Sequence, residues 1–246
     1  MRYEKLDALR GMTFISMFFY HALWDVNYIF GHPMAWYSGL PGYIWQQSIC
    51  ITFIFLSGFC LRLGTHGLRR GIIVSLAGAA ITALTARCLP EDIIIFGVLT
   101  LIGACMIILT ILRRPMEKFP AWLGVILNLL LFIGLRSIGS GRIGFGAHTL
   151  QLPPQLYRNY LTAFFGFPFD GFYSTDYFPL LPWIFLFAAG FYLCQMVREG
   201  SRMRGLAKCD QPFRKFIGRH SLIFYLLHQP VIYAVLSLLF TGSVAV

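Results

Sequence analysis

The chain has 246 residues, of which 57% are apolar and 12% charged, with a formal net charge of +10 and a mean hydropathy of +0.68. That balance excludes an ordinary soluble domain, because so few charges leave too little polar surface to face water. It excludes nucleic acid as a partner too, since the basic excess forms no stripe interleaved with aromatic residues on a soluble module.

A helix that crosses a bilayer needs ~20 mostly apolar residues. Seven such runs lie near residues 8–30, 43–62, 71–88, 93–112, 120–138, 179–197 and 217–240. In lipid every backbone polar group needs an internal partner, which favours helices for runs of this length. The pattern predicts an all-α, polytopic membrane helix bundle of about seven transmembrane helices, a single domain over 1–246 embedded in the lipid bilayer. With the N-terminus cytoplasmic, the inner segments hold sixteen of the twenty Lys and Arg residues, and the outer side keeps Arg87, Arg136, Arg142 and Arg158. This bias is what the positive-inside rule demands, and it explains the net charge through anionic headgroups.

The first run is long, is preceded by acidic residues and lacks a small-residue cleavage site, so it reads as a retained span and not as a signal peptide. It carries the residues that cost most in lipid. Asp7, Arg10, His21 and Asp25 fall within one stripe about 60° wide at about 100° per residue. His21 and Asp25 are one helical turn apart, so the carboxylate can accept a hydrogen bond from one imidazole nitrogen and leave the other to face a substrate as a general base. Arg10 lies about 16 Å before His21 along a helix, near the cytoplasmic mouth, where it suits a phosphate or carboxylate. The alternative is that Asp7 and Arg10 are interfacial charges and His21 a structural histidine.

In the second run Gln46, Gln47, Thr52 and Ser57 are candidates to line the same cavity. The six cysteines have no CxxC spacing and read as packing residues, and no metal is expected. Residues 139–178 form the longest stretch outside the spans, and the aromatic run Tyr160–Phe169 within it reads as a place for an interfacial helix. Arg136, Arg142, Arg158, His148 and Gln151 join those aromatics in a mixture suited either to sugar rings or to a membrane-interface loop. Asp176 and Tyr177 open the sixth run beside Pro179 and Pro182, where a helix cap and an acceptor-binding role are compatible. The final run carries Arg219, His220, Ser221, Tyr225, His228 and Gln229 before Pro230. There His228 and Gln229 serve either as partners for carbonyls freed at the proline or as substrate ligands.

These residues resemble a family of membrane-embedded acyltransferases. Arg10 and His21, with ten residues between them, match the Arg-x10-His signature of the acyltransferase-3 type enzymes. The wider order is similar to the heparan-alpha-glucosaminide N-acetyltransferase catalytic-domain family, in a bacterial branch: Leu6-Asp7-Ala8-Leu9-Arg10-Gly11, His21 with Asp25, Phe55-Leu56-Ser57-Gly58, Phe96-Gly97-Val98-Leu99, Asp176 to Trp183, and Gly218-Arg219-His220-Ser221 leading to Leu227-His228-Gln229-Pro230. The resemblance implies a multi-pass protein of the bacterial inner membrane that moves an acetyl group from cytosolic acetyl-CoA to a sugar amine or hydroxyl, on a carbohydrate or glycolipid, on the far side. It implies Arg10 and Asp7 at the acetyl-CoA site, His21 and Asp25 as catalytic base or transient acyl acceptor, and Asp176, Tyr177, His228 and Gln229 around the acceptor. Thr100 stands where members often carry a histidine. A transporter or proton-coupled permease with a relay through Asp25, Asp176 and His228 is the competing reading. It lacks the inverted repeats and paired broken helices such folds use.

Overall fold

A computed structural model describes residues 3–146, 148–199 and 202–240. The chain is 75% helical, and among the described residues its strands are confined to one short hairpin, so the all-α expectation holds. The helices are α1 (Glu4–Trp24), α2 (Ala35–Ser38), α3 (Leu40–Leu63), α4 (Gly67–Cys88), α5 (Val98–Ile111), α6 (Arg113–Lys118), α7 (Ala121–Gly134), α8 (Tyr160–Phe165), α9 (Leu180–Glu199), α10 (Pro212–Arg219) and α11 (Ser221–Leu239). Helices occupy each of the seven apolar runs, yet among the described residues five stretches are long and apolar enough to cross a membrane: α3, α4, Ala121–Ser140 beginning with α7, α9 and α11. The other two runs differ in kind. α5 has only 14 residues, and α1 is long enough at 21 but carries the polar stripe.

Two predicted boundaries move for identifiable reasons. The fourth run was expected to turn helical at residue 93, but α5 starts at Val98 because the backbone before it is taken by the segment 174–178. Thr175 N–H donates to the Ile93 carbonyl at 3.1 Å and Phe178 N–H to that of Phe96 at 2.9 Å. The last run was expected to begin at residue 217, but the helix breaks at His220, whose φ of −107° and ψ of 22° separate α10 from α11. None of the six cysteines is disulfide-bonded.

The chain divides into two compact units, residues 1–53 with 202–246, and residues 54–201. In the first unit, α1 packs along α10 and α11. Two glycines set the approach of α1 to α10: a Cβ on Gly11 would strike the Arg214 carbonyl, and one on Gly218 would strike that of Asp7. Phe14, Met17, Ile49 and Ile217 form the apolar core behind this crossing, with Trp45, Phe224 and Tyr225 packed on it. α1 then loosens into a π-helical turn, Asp25–Ile29, in which Phe30 N–H reaches the Asp25 carbonyl at 2.9 Å. Gly31 ends the turn with a φ of +71°, a left-handed conformation that a side chain would strain, and His32 N–H closes back on the Val26 carbonyl at 3.0 Å. Single π turns inside helices recur at functional sites.

In the second unit, α4 packs on α5, and α7 and the latter part of α3 pack on α9. The contacts again pass through glycines: Gly58 lies against the Phe187 carbonyl, Gly190 against that of Phe55, and Gly124 against the Tyr192 ring. Such small-residue crossings allow helices in lipid to gain packing where no hydrophobic force drives them together. Thr100 on α5 abuts Gly78 on α4, a crossing that favours a small side chain over an imidazole. The segment 139–178 holds strands β1 (Arg142–Phe145) and β2 (His148–Gln151), paired antiparallel, and then α8. An expected helix in the aromatic run is thus present but covers six residues, opened by an Asn159–Thr162 capping box and ended by Gly166 at φ +118°.

Candidate active site

Six of the eight predicted site residues lie in the first unit, and four of them come together around the end of α1. Asp25, at the last turn of α1, is fully buried, and its Oδ1 accepts from Gln229 Nε2 at 2.7 Å. His21, one turn earlier, meets the ring of His228 with centroids 4.9 Å apart at 65°. The sequence pairs His21 with Asp25 within one helix; the structure adds an α11 residue to each, Gln229 to the carboxylate and His228 to the imidazole.

The state of His228 follows from its surroundings. It is 8% exposed and boxed by the rings of Phe14, Tyr225 and His21. Its Nδ1 lies 2.5 Å from the Tyr225 carbonyl oxygen. A carbonyl only accepts, so Nδ1 carries the proton and Nε2 is left as a bare lone pair. Nε2 has no hydrogen-bond partner among the described residues, and neither has the adjacent Gln229 Oε1. An unmet buried acceptor costs about 1–3 kcal/mol, and native structures keep few of them without a reason.

Asp7 and Arg10, the expected cofactor ligands, sit near the start of α1 in a charge network with α10. Arg10 Nη1 is 3.6 Å from Asp7 Oδ1 and 3.4 Å from the Gly218 carbonyl. Arg219 Nε is 3.5 Å from Asp7 Oδ2, and Lys215 Nζ is 2.9 Å from Glu4 Oε2. The hydrogen bond from Lys215, with one from the Cys209 N–H, holds the Glu4 carboxyl below its ordinary value. Arg10, Lys215 and Arg219 thus outnumber the carboxylates of Glu4 and Asp7, leaving positive charge for an anion such as a phosphate.

Asp176 and Tyr177 lie in the second unit and are engaged by backbone. Asp176 Oδ2 accepts from Val98 N–H at 3.3 Å, at the first turn of α5, where a carboxylate suits the helix dipole. Burial pushes this carboxyl up to about 6 despite that hydrogen bond. Ser174 Oγ both accepts from Ile95 N–H and donates to the Ile95 carbonyl, each at 2.9 Å. Tyr177 donates its hydroxyl to the Ala163 carbonyl at 2.5 Å, which ties α8 to this segment, and burial raises its pKa. The cap expected of Asp176 at the entry of the sixth run is replaced by a hydrogen bond to the start of α5. Of the candidates in and beside residues 139–178, His148 and Gln151 are exposed on β2, and the Arg136 guanidinium lies over the rings of Trp183 and Phe132 at 4.9 and 5.3 Å.

The sequence did not single out a second charge cluster in this unit, in which Glu117 Oε1 accepts from Arg113 Nε at 2.8 Å and pairs with Arg62 Nη1 at 3.1 Å. Arg113 and Glu117 are four apart, a spacing that signals a helical ion pair. The addition of Arg62 has no local signature.

The helices define an integral membrane protein, and its candidate site is two histidines, a carboxylate and an amide from the end of α1 and from α11. The chain belongs to the family described as heparan-alpha-glucosaminide N-acetyltransferase, catalytic, whose profile matches residues 2–230. That places it among the acetyltransferases, in the class of transferases. No curated protein and no solved structure matches it.

Proposed function

We propose that the protein moves an acetyl group from acetyl-CoA, taken on the cytoplasmic side, to an amine or hydroxyl of a carbohydrate or glycolipid on the far side of a bacterial inner membrane. The family supports the reaction class. The observation that carries the reading further is the buried cluster of His21, Asp25, His228 and Gln229, which keeps hydrogen-bonding capacity that the fold does not use.

Acetyl-CoA, when bound, supplies an acetyl carbon activated as a thioester. Arg10, with the surplus positive charge of Lys215 and Arg219 around Glu4 and Asp7, is suited to hold its anionic portion. His21 takes the proton from the attacking amine or hydroxyl, and Asp25, held by Gln229, sits one turn away to favour the positive charge that His21 then carries. Gln229 presents its Oε1 to a donor group of the acceptor sugar, and His228 stands beside it at that site.

The reading is tested with purified protein in detergent micelles. Acetyl-CoA titrated into it should release heat on binding, and supplied amino sugars and neutral sugars should acquire a labelled acetyl group detectable by mass spectrometry. Failure to bind acetyl-CoA, joined with substrate counterflow in vesicles lacking it, would overturn the reading in favour of a proton-coupled permease.

A further inference from the structure

We infer that His228 is the positioning residue for His21: with the substrates bound, its bare Nε2 receives the N–H of one His21 nitrogen, which leaves the lone pair of the other to take the acceptor's proton. The inference deepens the acetyltransferase reading and rests on it.

The geometry assigns the direction of the pair. His228 cannot turn its Nδ1–H toward His21, because that proton is committed to the Tyr225 carbonyl of its own helix. The nitrogen that remains is an acceptor, buried and without a hydrogen-bond partner among the described residues. Of the rings around His228, that of His21 is the nearest, with centroids 4.9 Å apart. Phe14 and Tyr225 close the remaining sides with aromatic carbon, so a lone pair here is shielded from water. A neutral His21 offers one N–H and one lone pair, so an acceptor that holds the N–H turns the lone pair to the substrate, and the proton gained there stays on the substrate-facing nitrogen for the leaving sulfur. His228 Nε2 is such an acceptor, and it fixes which His21 nitrogen faces the substrate.

The step balances. The acceptor's N–H or O–H bond breaks as its nitrogen or oxygen bonds the acetyl carbon, and the proton passes to His21. The carbon–sulfur bond of the thioester breaks with its electron pair on sulfur, and the thiolate leaves as a thiol by taking the proton back from His21. His228 gains no net proton; it holds His21 while the charge lasts. The other titratable groups around the pair are Asp25 at the end of α1, Tyr20 beside His21, Tyr37 of α2 tilted against Tyr20, and Tyr225 on α11.

The decisive variant is His228→Asn, whose amide nitrogen can still reach the Tyr225 carbonyl but whose side chain is too short to place an acceptor at the Nε2 position. It should fold with a melting temperature close to wild type, bind acetyl-CoA with unchanged affinity, and lose ~100-fold in kcat, the scale of a general-base contribution. The acid limb of its pH–rate profile should move. His228→Gln, which can extend a carbonyl oxygen toward that position, should recover part of the loss. A kcat within threefold of wild type and an unmoved pH profile in His228→Asn would overturn the inference.

Histidine-labelled nitrogen NMR in micelles decides it without turnover. His228 should carry its proton on Nδ1, and the His21 resonances should shift in His228→Asn. A proton on His228 Nε2, or unshifted His21 signals, would sink the pairing. An inactive wild type with those NMR signatures intact would instead condemn the acetyltransferase reading and leave the histidine pair standing.

Discussion

Asp25 on α1 and Asp176 before α9 are both carboxylates placed at helix ends, but their neighbourhoods dispose of hydrogen bonds in opposite ways. Around Asp176, Ser174, Thr175 and Tyr177 all bond to backbone carbonyls or N–H groups of residues 92–98 and 163. That polar group is consumed in joining a loop to the start of α5. Around Asp25, one amide holds the carboxylate while the lone pair of His228 and the carbonyl of Gln229 remain unused by the fold. Two acidic motifs that read alike in sequence thus separate into a joint and a candidate reaction centre. The buried acceptors left over are what tell them apart.

The comparison breaks most readily at His21. His21→Ala should lower acetyl transfer by roughly 10²–10⁴ while leaving the melting temperature nearly unchanged; transfer at the wild-type rate would remove His21 from the reaction. Gly218→Ala acts through packing, since the new Cβ would meet the Asp7 carbonyl. It should destabilise the first unit by about 1–3 kcal/mol, seen as a lower thermal midpoint in micelles. An unchanged midpoint would mean that α1 and α10 can part without cost.

Asp25→Asn keeps an oxygen for Gln229 but removes the charge that favours protonated His21. A loss of about tenfold in kcat, equivalent to ~1.4 kcal/mol, is expected. No loss would make Asp25 a joint like Asp176. The smallest effect belongs to Asp176 itself. Its folded pKa of about 6 stands above the ordinary carboxylate value, so the fold favours the protonated form. Stability should fall as pH rises from about 4 to about 6 and then level off. Asp176→Asn should flatten that decline with transfer unaffected; a slope that persists would assign it to other groups.

Much of the first unit was legible in the chain. The spacing of Asp7, Arg10, His21 and Asp25 obeys helix periodicity, and α1 keeps them in one helix up to the π turn that starts at Asp25. His228 and Gln229 stood out because polar residues beside a proline in an apolar run are expensive in lipid. Their partners did not stand out. Gln229 meets Asp25 across more than two hundred residues, and the Tyr225 carbonyl that fixes the His228 tautomer is a backbone atom with no sequence signature. The hairpin at 142–151 and the extended pairing of 92–98 with 174–178 were missed because short apolar stretches there resemble the flanks of spans.

What the sequence by itself determined is the class of molecule and the helix faces. Apolar runs of spanning length leave helices as the favoured solution in lipid, and a period of 3.6 residues puts side chains on a stripe whatever the helix later touches. Tertiary structure decided which stripe meets which. The approach of α1 to α10 turns on whether two glycines lack a Cβ, and the protonation site of His228 turns on one carbonyl within 2.5 Å. Both are matters of distance between atoms brought together by packing, which no local pattern encodes.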